Sequence, residues 1–263
     1  MCSSDLNGSS GQAYANDVFL FRGASILFHG SNNINASFDI QADAPNSYSG
    51  NPGAPVGSLD NGITVAVGSA NTVTLSGNNS YRGTTTLQSG SLSVNSDSRL
   101  GTVPSTPTPG NLTFSGGTLR TTVGFTLNAN RGISLGGGGG TFYSTGDLNV
   151  AGVIAGGAGN PLTISGTGTP TIFLTGANTF AGDIIVTNNA ALYITNDENL
   201  GAPNKNIILA NGILVASIIL NSSRSIVLSS DDGSLFIPFS NTLTFDGVIN
   251  GSGDLSLIGG GTA

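Results

Sequence analysis

The sequence predicts an all-β chain folded as a parallel β-helix, a single elongated solenoid in which short strands coil around one axis. Three observations lead to this fold class. The composition disfavours helices, apolar and polar residues alternate in short runs, and one long pattern of residues occurs twice along the chain.

Glycine and small polar residues dominate the composition of the 263-residue chain. There are 41 glycines, whereas Lys205 is the only lysine and Glu198 the only glutamate, so strong helix formers are nearly absent. Charged residues make up 8%, against about a quarter in ordinary globular domains, yet 38% of the residues are hydrophobic. That fraction is too high for a disordered chain, and we expect an ordered protein with a neutral polar surface, as in extracellular β-solenoids.

Charge and cysteine content limit the partners and cofactors that we expect. The net charge is −7, and the arginines, spread from Arg22 to Arg224, form no basic cluster, so no nucleic-acid partner is expected. Cys2 is the only cysteine, which excludes an internal disulfide and a thiolate metal cluster. No window approaches the roughly 18 apolar residues of a transmembrane helix. The opening MCSSDL resembles a translated sequencing adapter, and we expect residues 1–6 to be an assembly scar.

Short apolar triplets mark the predicted strands. Each triplet has one apolar face and an opposite face of mostly Thr, Ser or Asn, and Gly or Asn turn residues bound it. Such triplets make strands of about three to five residues. They are VTL at 73–75, LSV at 92–94, LTF at 112–114, FTL at 125–127, ISL at 133–135, LNV at 148–150, LTI at 162–164, IFL at 172–174, LYI at 192–194, IVL at 226–228 and LTF at 243–245.

A long internal repeat organises these triplets. LSGNNSYRG at 75–83 returns as LTGANTFAG at 174–182, an offset of 99 (174 − 75). Small insertions, such as VPSTPTPG at 103–110, fall where turns are expected, while the apolar triplets stay in phase, as in solenoids. Further matches are Leu100-Gly101 with Leu200-Gly201, GGTL at 116–119 with NGIL at 211–214, RGISL at 131–135 with RSIVL at 224–228, and GVIAG at 152–156 with GVING at 247–251.

These matches divide the predicted solenoid into a partial unit at 7–70, unit 1 at 71–168 and unit 2 at 169–263. With turns of about 20–25 residues, one unit makes four or five turns. Unit 2 stops where another L-x-G-x-N-T motif would follow, and we expect the chain to be cut from a longer protein at both ends. Propeller and β-sandwich folds fit this repeat length less well, and a transmembrane barrel needs strands of about ten residues with aromatic girdles, which the sequence does not show.

The order of motifs in units 1 and 2 resembles the autotransporter-associated β-strand repeat, over residues 71–263. The shared pattern is L-[ST]-G-x-N-[ST]-[YF]-x-G, then x-L-x-[VI], a Leu-Gly pair, G-G-T-L, R-x-I-x-L and G-V-I-x-G. The resemblance implies a right-handed β-helical stalk in a passenger domain that is secreted to the outer-membrane surface of a Gram-negative bacterium. It also implies a C-terminal translocator β-barrel as partner, in a part of the protein beyond this chain.

We therefore expect a non-enzymatic structural stalk that displays an effector or adhesive region. One alternative is an adhesin that binds host or matrix glycans through the flank of the β-helix. A polysaccharide-degrading enzyme on the same scaffold is a further alternative, but it needs acidic and basic residues that converge on one groove, and the charges here are sparse. We expect no small-molecule substrate.

Several residues could carry chemistry, and for each a structural role is the better interpretation. His29, the only histidine, has Ser25, Ser31 and Asp39 near it in sequence, yet a Ser-His-Asp triad is defined by geometry and we expect a polar residue at a strand end. The acidic pairs that could cleave sugars are Asp197-Glu198, Asp231-Asp232, and Asp39 with Asp43. Asp231-Asp232-Gly233 is a typical turn sequence.

Three further motifs also have structural interpretations. Asp254 in GSGDLSL lacks the nine-residue spacing of calcium-binding repeats. The run Gly136 to Gly140 lacks a following Gly-Lys-Ser/Thr and is expected to form a corner of the solenoid. Tyr81 and Phe180 occupy one repeat position and are expected to pack in the core. We thus expect no catalytic residue, no metal site and no cofactor.

Overall fold

The predicted all-β solenoid is confirmed. In a computed structural model, which describes residues 4–7, 17–20, 24–42, 62–217 and 220–262, the strands coil around one axis and α-helix is absent from these residues. Neighbouring strands within the three long sheets pair in parallel, as in the pairing of Leu119 with Phe142 and of Phe142 with Ile164. The right-handed sense of the coil stays a prediction.

The strands are short, as the triplets predict. Those before unit 2 are β1 (Ser4–Asn7), β2 (Asp17–Leu20), β3 (Ser25–Gly30), β4 (Ile34–Ala36), β5 (Asp39–Ala42), β6 (Gly62–Val67), β7 (Thr72–Leu75), β8 (Thr85–Ser89), β9 (Ser91–Val94), β10 (Thr108–Phe114), β11 (Thr118–Thr121), β12 (Phe125–Leu127), β13 (Arg131–Leu135), β14 (Gly140–Ser144), β15 (Leu148–Val150), β16 (Ile154–Gly156) and β17 (Leu162–Gly166).

Unit 2 repeats this organisation. Short 3-10 helices at Asp97–Leu100 and Asp197–Leu200 interrupt the strands at equivalent places in the two units. The strands of unit 2 are β18 (Thr171–Leu174), β19 (Ile184–Thr187), β20 (Ala191–Ile194), β21 (Ile207–Ala210), β22 (Gly212–Ala216), β23 (Leu220–Ser222), β24 (Ile226–Leu228), β25 (Gly233–Ile237), β26 (Leu243–Phe245), β27 (Ile249–Gly251) and β28 (Leu255–Gly259).

Three long sheets form the faces of the coil. Face I contains β1, β3, β6, β8, β10, β13 and β16, and face III contains β12, β15, β18, β20, β22, β25 and β28. Face II contains the ten strands β4, β7, β9, β11, β14, β17, β19, β21, β24 and β27. The two-stranded sheets pair β2 with β5 and β23 with β26. Ten stacked strands are nine strand spacings, which gives face II a length of about 43 Å.

Inward residues of successive turns build one apolar column. Leu119, Phe142 and Ile164 are register partners on three successive turns, and all three are fully buried. Phe142 also meets Phe114 edge-to-face, with ring centroids 5.3 Å apart. Each buried side chain of this kind contributes about 1.5–3 kcal/mol, so the column supplies most of the stabilisation. The alternate residues of these strands, such as Thr141, are partly exposed.

Equivalent strands of units 1 and 2 lie on different faces. β8 belongs to face I, whereas its counterpart β19, 99 residues later (184 − 85), belongs to face II. In the same way β9 and β20 lie on faces II and III, and β13 and β24 on faces I and II. From β8 the chain returns to face I at β10, β13, β16 and residues 178–182, and then reaches β19. One unit therefore makes four full turns of the solenoid and then advances by one more face, which is one-third of a turn.

Segments without strand structure keep the stack continuous at the interruptions. The Thr179 and Ala181 N–H groups donate to the Ile154 and Gly156 carbonyls (2.8 and 3.0 Å), which places residues 178–182 on top of β16. In unit 1 the Ser80 N–H donates to the Ile40 carbonyl (2.8 Å), so the equivalent segment stacks on β5 instead. From unit 1 to unit 2, this irregular segment has thus moved by one face around the solenoid.

The partial unit before residue 71 joins the same coil. Strand β3 pairs with β6 along six residues, and β6 pairs with β8 of unit 1. Strand β1, whose first three residues lie in the expected scar, pairs with β3. Neither the division into units nor the scar is tested by this pairing, and both stay predictions.

Candidate functional site

The residues considered for a hydrolytic triad do not assemble into one. Ser25 and His29 are four residues apart on the single strand β3, which is about 13 Å along an extended chain. Asp39 lies on β5, which belongs to the two-stranded sheet with β2. Its Oδ1 accepts a hydrogen bond from the Asn78 N–H (2.5 Å). Ser31 is exposed in the bend that follows β3. The carboxylate is thus engaged with the backbone of the next turn.

The acidic pairs also have structural positions. Asp231 and Asp232 are exposed in a turn, as predicted, and Asp232 has a positive φ of 63°. Its Oδ1 accepts a hydrogen bond from the Asp254 N–H (2.7 Å), so the two predicted turns are stacked on each other. Asp43, considered as a partner for Asp39, lies outside the described residues.

Several aspartate side chains accept backbone hydrogen bonds from the next turn of the solenoid. The Oδ1 atoms of Asp147 and Asp183 accept hydrogen bonds from the N–H groups of Thr171 and Asn206, each at 2.9 Å. Asp39 and Asp232 make the same kind of contact. A carboxylate that accepts a backbone N–H forms a charge-assisted hydrogen bond, which is stronger than a neutral one. These acids therefore hold successive turns in register.

The most elaborate polar cluster is a buried ion pair in unit 1, which we call the first clamp. Arg131, at the start of β13, is 1% exposed, and its Nε donates to Asp97 Oδ1 at 2.7 Å. Its Nη1 donates to the Leu100 carbonyl (2.9 Å) and to Asn111 Oδ1 (3.0 Å). Its Nη2 donates to the carbonyls of Asp97 (3.2 Å) and Gly101 (2.7 Å). All five N–H donors of the guanidinium are satisfied.

An equivalent second clamp lies in unit 2. Arg224, at 2% exposure, donates from Nε to Asp197 Oδ1 at 3.0 Å. Its Nη1 donates to the Ala202 carbonyl (2.7 Å) and its Nη2 to the Gly201 carbonyl (2.8 Å). The Ser222 hydroxyl donates to the same Asp197 oxygen (2.6 Å). Asp197, which could have been half of a catalytic pair with Glu198, is therefore committed to the clamp.

Buried asparagines accompany each clamp. Asn79 Oδ1 accepts from the Ile40 N–H (2.9 Å) and its Nδ2 donates to the Arg99 carbonyl (2.7 Å). Its counterpart Asn178 accepts from the Ile154 N–H (2.8 Å) and donates to the Asn199 carbonyl (2.6 Å). Each amide thus bridges the turn before it and the turn after it. The repeated Asn of the L-x-G-x-N motif is explained by this bridge.

Two predictions about non-catalytic motifs are confirmed. Tyr81 and Phe180 are fully buried, as expected of core residues. Residues 136–139 form the corner between β13 and β14, with Gly138 and Gly139 at positive φ (91° and 69°), and Gly140 begins β14.

Sequence reasoning missed both clamps. The R-x-I-x-L motif was recognised as a repeated element, but no role was assigned to its arginine. A signal was present: the chain has seven basic residues, and two of them, Arg131 and Arg224, occupy one repeat position. Asp97 and Asp197 likewise recur 100 residues apart (197 − 97). Charges that are rare and yet repeated are candidates for buried pairs, because an unpaired buried charge is very costly.

Comparison with known proteins adds no family. No protein-family model, curated protein or solved structure matches the chain. Within the described residues, no three His, Cys, Asp or Glu side chains are grouped to hold a metal ion. That same part of the chain contains no helix with the length and apolar character needed to span a membrane.

Taken together, the polar residues contact the chain itself. In each clamp the guanidinium donates to one carboxylate and to backbone carbonyls of the preceding turn, and in the first clamp it also donates to the Asn111 side chain. Neither Asp97 nor Asp197 presents its carboxylate alone to solvent, since the two are 18% and 32% exposed and both are ion-paired. The arrangement suits mechanical linkage between turns.

Proposed function

We propose that the chain is a non-enzymatic structural stalk from the passenger domain of a secreted, surface-attached autotransporter. In this role it holds an effector or adhesive region away from the outer membrane. The observation that carries the proposal is the recurrence of one inter-turn clamp per unit, each on a different face of the solenoid.

A stalk must resist bending in every direction, and the clamp positions serve this need. The first clamp joins the 3-10 helix at Asp97–Leu100 to the start of β13 on face I. The second joins the equivalent helix at Asp197–Leu200 to Arg224, two residues before β24 on face II. Each unit is four turns and one face long, so the clamps of successive units lie on different faces. The reinforcement by the clamps is therefore distributed around the axis of the solenoid.

The proposal also fits the repetitive architecture of the chain. Stacked units interact with their neighbours only, so stability grows with the number of units, and length can change without redesign of the fold. Three of the aspartates considered for catalysis, Asp39, Asp197 and Asp232, are engaged in contacts between turns. The autotransporter origin, the surface location and the translocator β-barrel partner come from the resemblance of the repeat motifs.

Deletion of one unit tests the stalk role. Removal of residues 76–174 joins Leu75 to Thr175 and takes out 99 residues (174 − 76 + 1). We expect the variant to fold, with a rod about 21 Å shorter by small-angle X-ray scattering, because four and one-third turns of ~4.8 Å are lost. Loss of β-structure or an unchanged length would contradict the proposal.

Surface display tests the location. The chain would be fused between a signal peptide with a reporter epitope and a translocator β-barrel, and expressed in a Gram-negative host. We expect the epitope to be accessible to antibody and to added protease on intact cells, for both the parent and the shortened chain. Retention of the epitope in the periplasm would contradict the surface location, and release of reducing sugars from polysaccharides by the purified chain would favour the enzyme alternative.

A further inference from the structure

A recess opens on the outer surface beside Tyr143. The ring projects from β14 on face II, and its register partner on the next turn is the small Ser165, followed by a glycine-rich turn. The missing bulk above the ring leaves an open groove of about 440 Å³, between the turn at 166–168 and those at Asn188, Asn189 and Asn211. This volume is within the range of about 300–1,000 Å³ that small-ligand sites occupy.

The groove presents neutral hydrogen-bonding groups and one aromatic wall. Its side chains are the phenol of Tyr143, the hydroxyl of Thr167 and the amides of Asn188, Asn189 and Asn211. Amides and hydroxyls both donate and accept hydrogen bonds. The residues that line the groove carry no charge, so it offers nothing that would favour a phosphate, a carboxylate or an ammonium group.

The aromatic wall is held in place from the side away from the groove. Arg120, the register partner of Tyr143 on the preceding turn, places its guanidinium 4.8 Å from the ring centroid. The Tyr143 hydroxyl donates to Thr167 Oγ1 at 3.4 Å, on the groove side. A cation over one face of the ring and a weak hydrogen bond at its edge restrict the side chain, while the other ring face borders the groove.

The backbone holds the amides in position. Asn188, Asn189 and Asn211 all have positive φ, at 55°, 58° and 58°, and the Asn189 N–H donates to the Asn211 carbonyl at 2.6 Å. Asn188 Nδ2 is bonded to Ser165 Oγ (2.9 Å). The side-chain amides of Asn189 and Asn211 are exposed and make no hydrogen bond within the described part of the chain. The turns therefore fix the backbones of these residues, and their free amides can donate and accept hydrogen bonds.

We infer that this groove binds a neutral saccharide, as one or two residues of a longer glycan. The apolar face of a sugar ring packs on Tyr143, and its hydroxyls exchange hydrogen bonds with the amides of Asn189 and Asn211 and with Thr167. The inference goes beyond the stalk role and is independent of it, because a stalk needs no ligand.

The first experiment identifies ligands. The purified chain is applied to an array of neutral oligosaccharides (gluco-, manno-, xylo- and N-acetylglucosamine series) with acidic uronate oligomers beside them, and hits are titrated calorimetrically. We expect retention on neutral members, with Kd values on the order of 10 µM to 1 mM and no change between 50 and 500 mM NaCl. Binding to no saccharide, or only to the acidic ones, overturns the inference.

Matched variants locate the site. The double substitution Asn189→Gly with Asn211→Gly removes two amides and keeps the turns, because glycine adopts positive φ without strain. We expect at least tenfold weaker binding of the best neutral hit. Asn204→Gly is the control, since Asn204 also has positive φ (65°) but does not line the groove.

The aromatic wall is tested in the same way. Tyr143→Ser should abolish measurable binding, whereas Tyr143→Phe, which keeps the ring, should lose less than threefold. Tyr193→Ser removes an outward tyrosine of face III that stacks on Phe173 at 4.8 Å and serves as control. Unchanged affinity in Tyr143→Ser and in the double glycine variant would place any binding elsewhere and overturn the assignment.

Discussion

The first and second clamps have one geometry but different surroundings. Asp97 is 18% exposed and its ion pair is 2.7 Å long, whereas Asp197 is 32% exposed and its pair is 3.0 Å long. The Asn111 side chain adds an acceptor for the guanidinium in unit 1, whereas the acceptors of Arg224 do not include its counterpart Asn206, whose backbone N–H donates to Asp183. The repeat thus preserves the ion pair and lets the neighbouring contacts vary.

A Pro-rich insertion lies beside the clamp in unit 1. The Pro104 carbonyl accepts a hydrogen bond from Asn130 Nδ2 at 2.8 Å, which fixes the insertion against the residue before Arg131. Unit 2 has a shorter connection at this place. Both units keep the ion pair although only unit 1 carries the insertion, and the two pairs differ in exposure and therefore in desolvation.

Loss of the arginine should have the largest effect, and it should be larger in unit 1. Arg131→Ala leaves the Asp97 carboxylate, the Asn111 side chain and three backbone carbonyls without their donor, and we expect the free energy of unfolding to fall by about 3–5 kcal/mol. Arg224→Ala should cost about 1 kcal/mol less, because water reaches Asp197 more readily. Urea unfolding followed by circular dichroism measures both.

Arg120→Ala is the control for this pair, since Arg120 lies on the outer surface over Tyr143 and should cost about 1 kcal/mol or less. If Arg131→Ala were no more destabilising than Arg120→Ala, the clamp would have no structural importance.

The asparagine pair sharpens the comparison at intermediate size. Asn111 is 7% exposed and accepts from Arg131, so Asn111→Ala should destabilise by about 1.5–3 kcal/mol, as expected for a hydrogen bond to a charged group. Asn206→Ala removes the equivalent side chain where no such bond exists, and it should cost about 0.5 kcal/mol or less. Equal losses in thermal or urea unfolding would contradict the assigned difference.

A smaller effect concerns the aromatic position of the repeat. In unit 1 the Tyr81 hydroxyl lies 2.7 Å from Thr85 Oγ1 in the core, whereas unit 2 has Phe180 and Ile184 at these positions. Tyr81→Phe should cost about 1 kcal/mol, because the buried Thr85 hydroxyl loses its partner. The double variant Tyr81→Phe with Thr85→Ile copies unit 2 and should recover most of the loss. No recovery would show that the two pairs are not interchangeable.

Salt should produce the smallest difference. At 1 M NaCl the screening length falls to about 3 Å, and exposed pairs are screened more than buried ones. We expect the cost of Asp197→Asn to shrink by roughly 0.3–0.5 kcal/mol between 0.05 and 1 M NaCl, and that of Asp97→Asn to change less. A larger salt effect on Asp97→Asn would reverse the order of burial that the structure gives.

Local patterns were sufficient to predict much of this molecule. The triplets identified the strands because an inward apolar and outward polar alternation is a property of a few adjacent residues. The turn at Asp231 and Asp232 and the core position of Tyr81 followed from the turn chemistry and from the repeat.

The remaining features depend on distances along the chain that no local pattern fixes. Arg131 meets Asp97 across 34 residues (131 − 97), and that spacing includes the insertion at 103–110. The groove beside Tyr143 arises because Ser165, 22 residues later, is its register partner. The number of faces per unit likewise follows from the summed lengths of all its turns. Register between turns had to be known first.

The extra third of a turn in each unit gives the solenoid a slow screw symmetry. Three successive units would complete thirteen turns (three times four and one-third), so that any loop carried by the repeat would point in three directions and then return to its starting side after about 60 Å. A longer rod of this kind would present the same structural motif on all of its faces, so that partners could reach it from any direction around the axis.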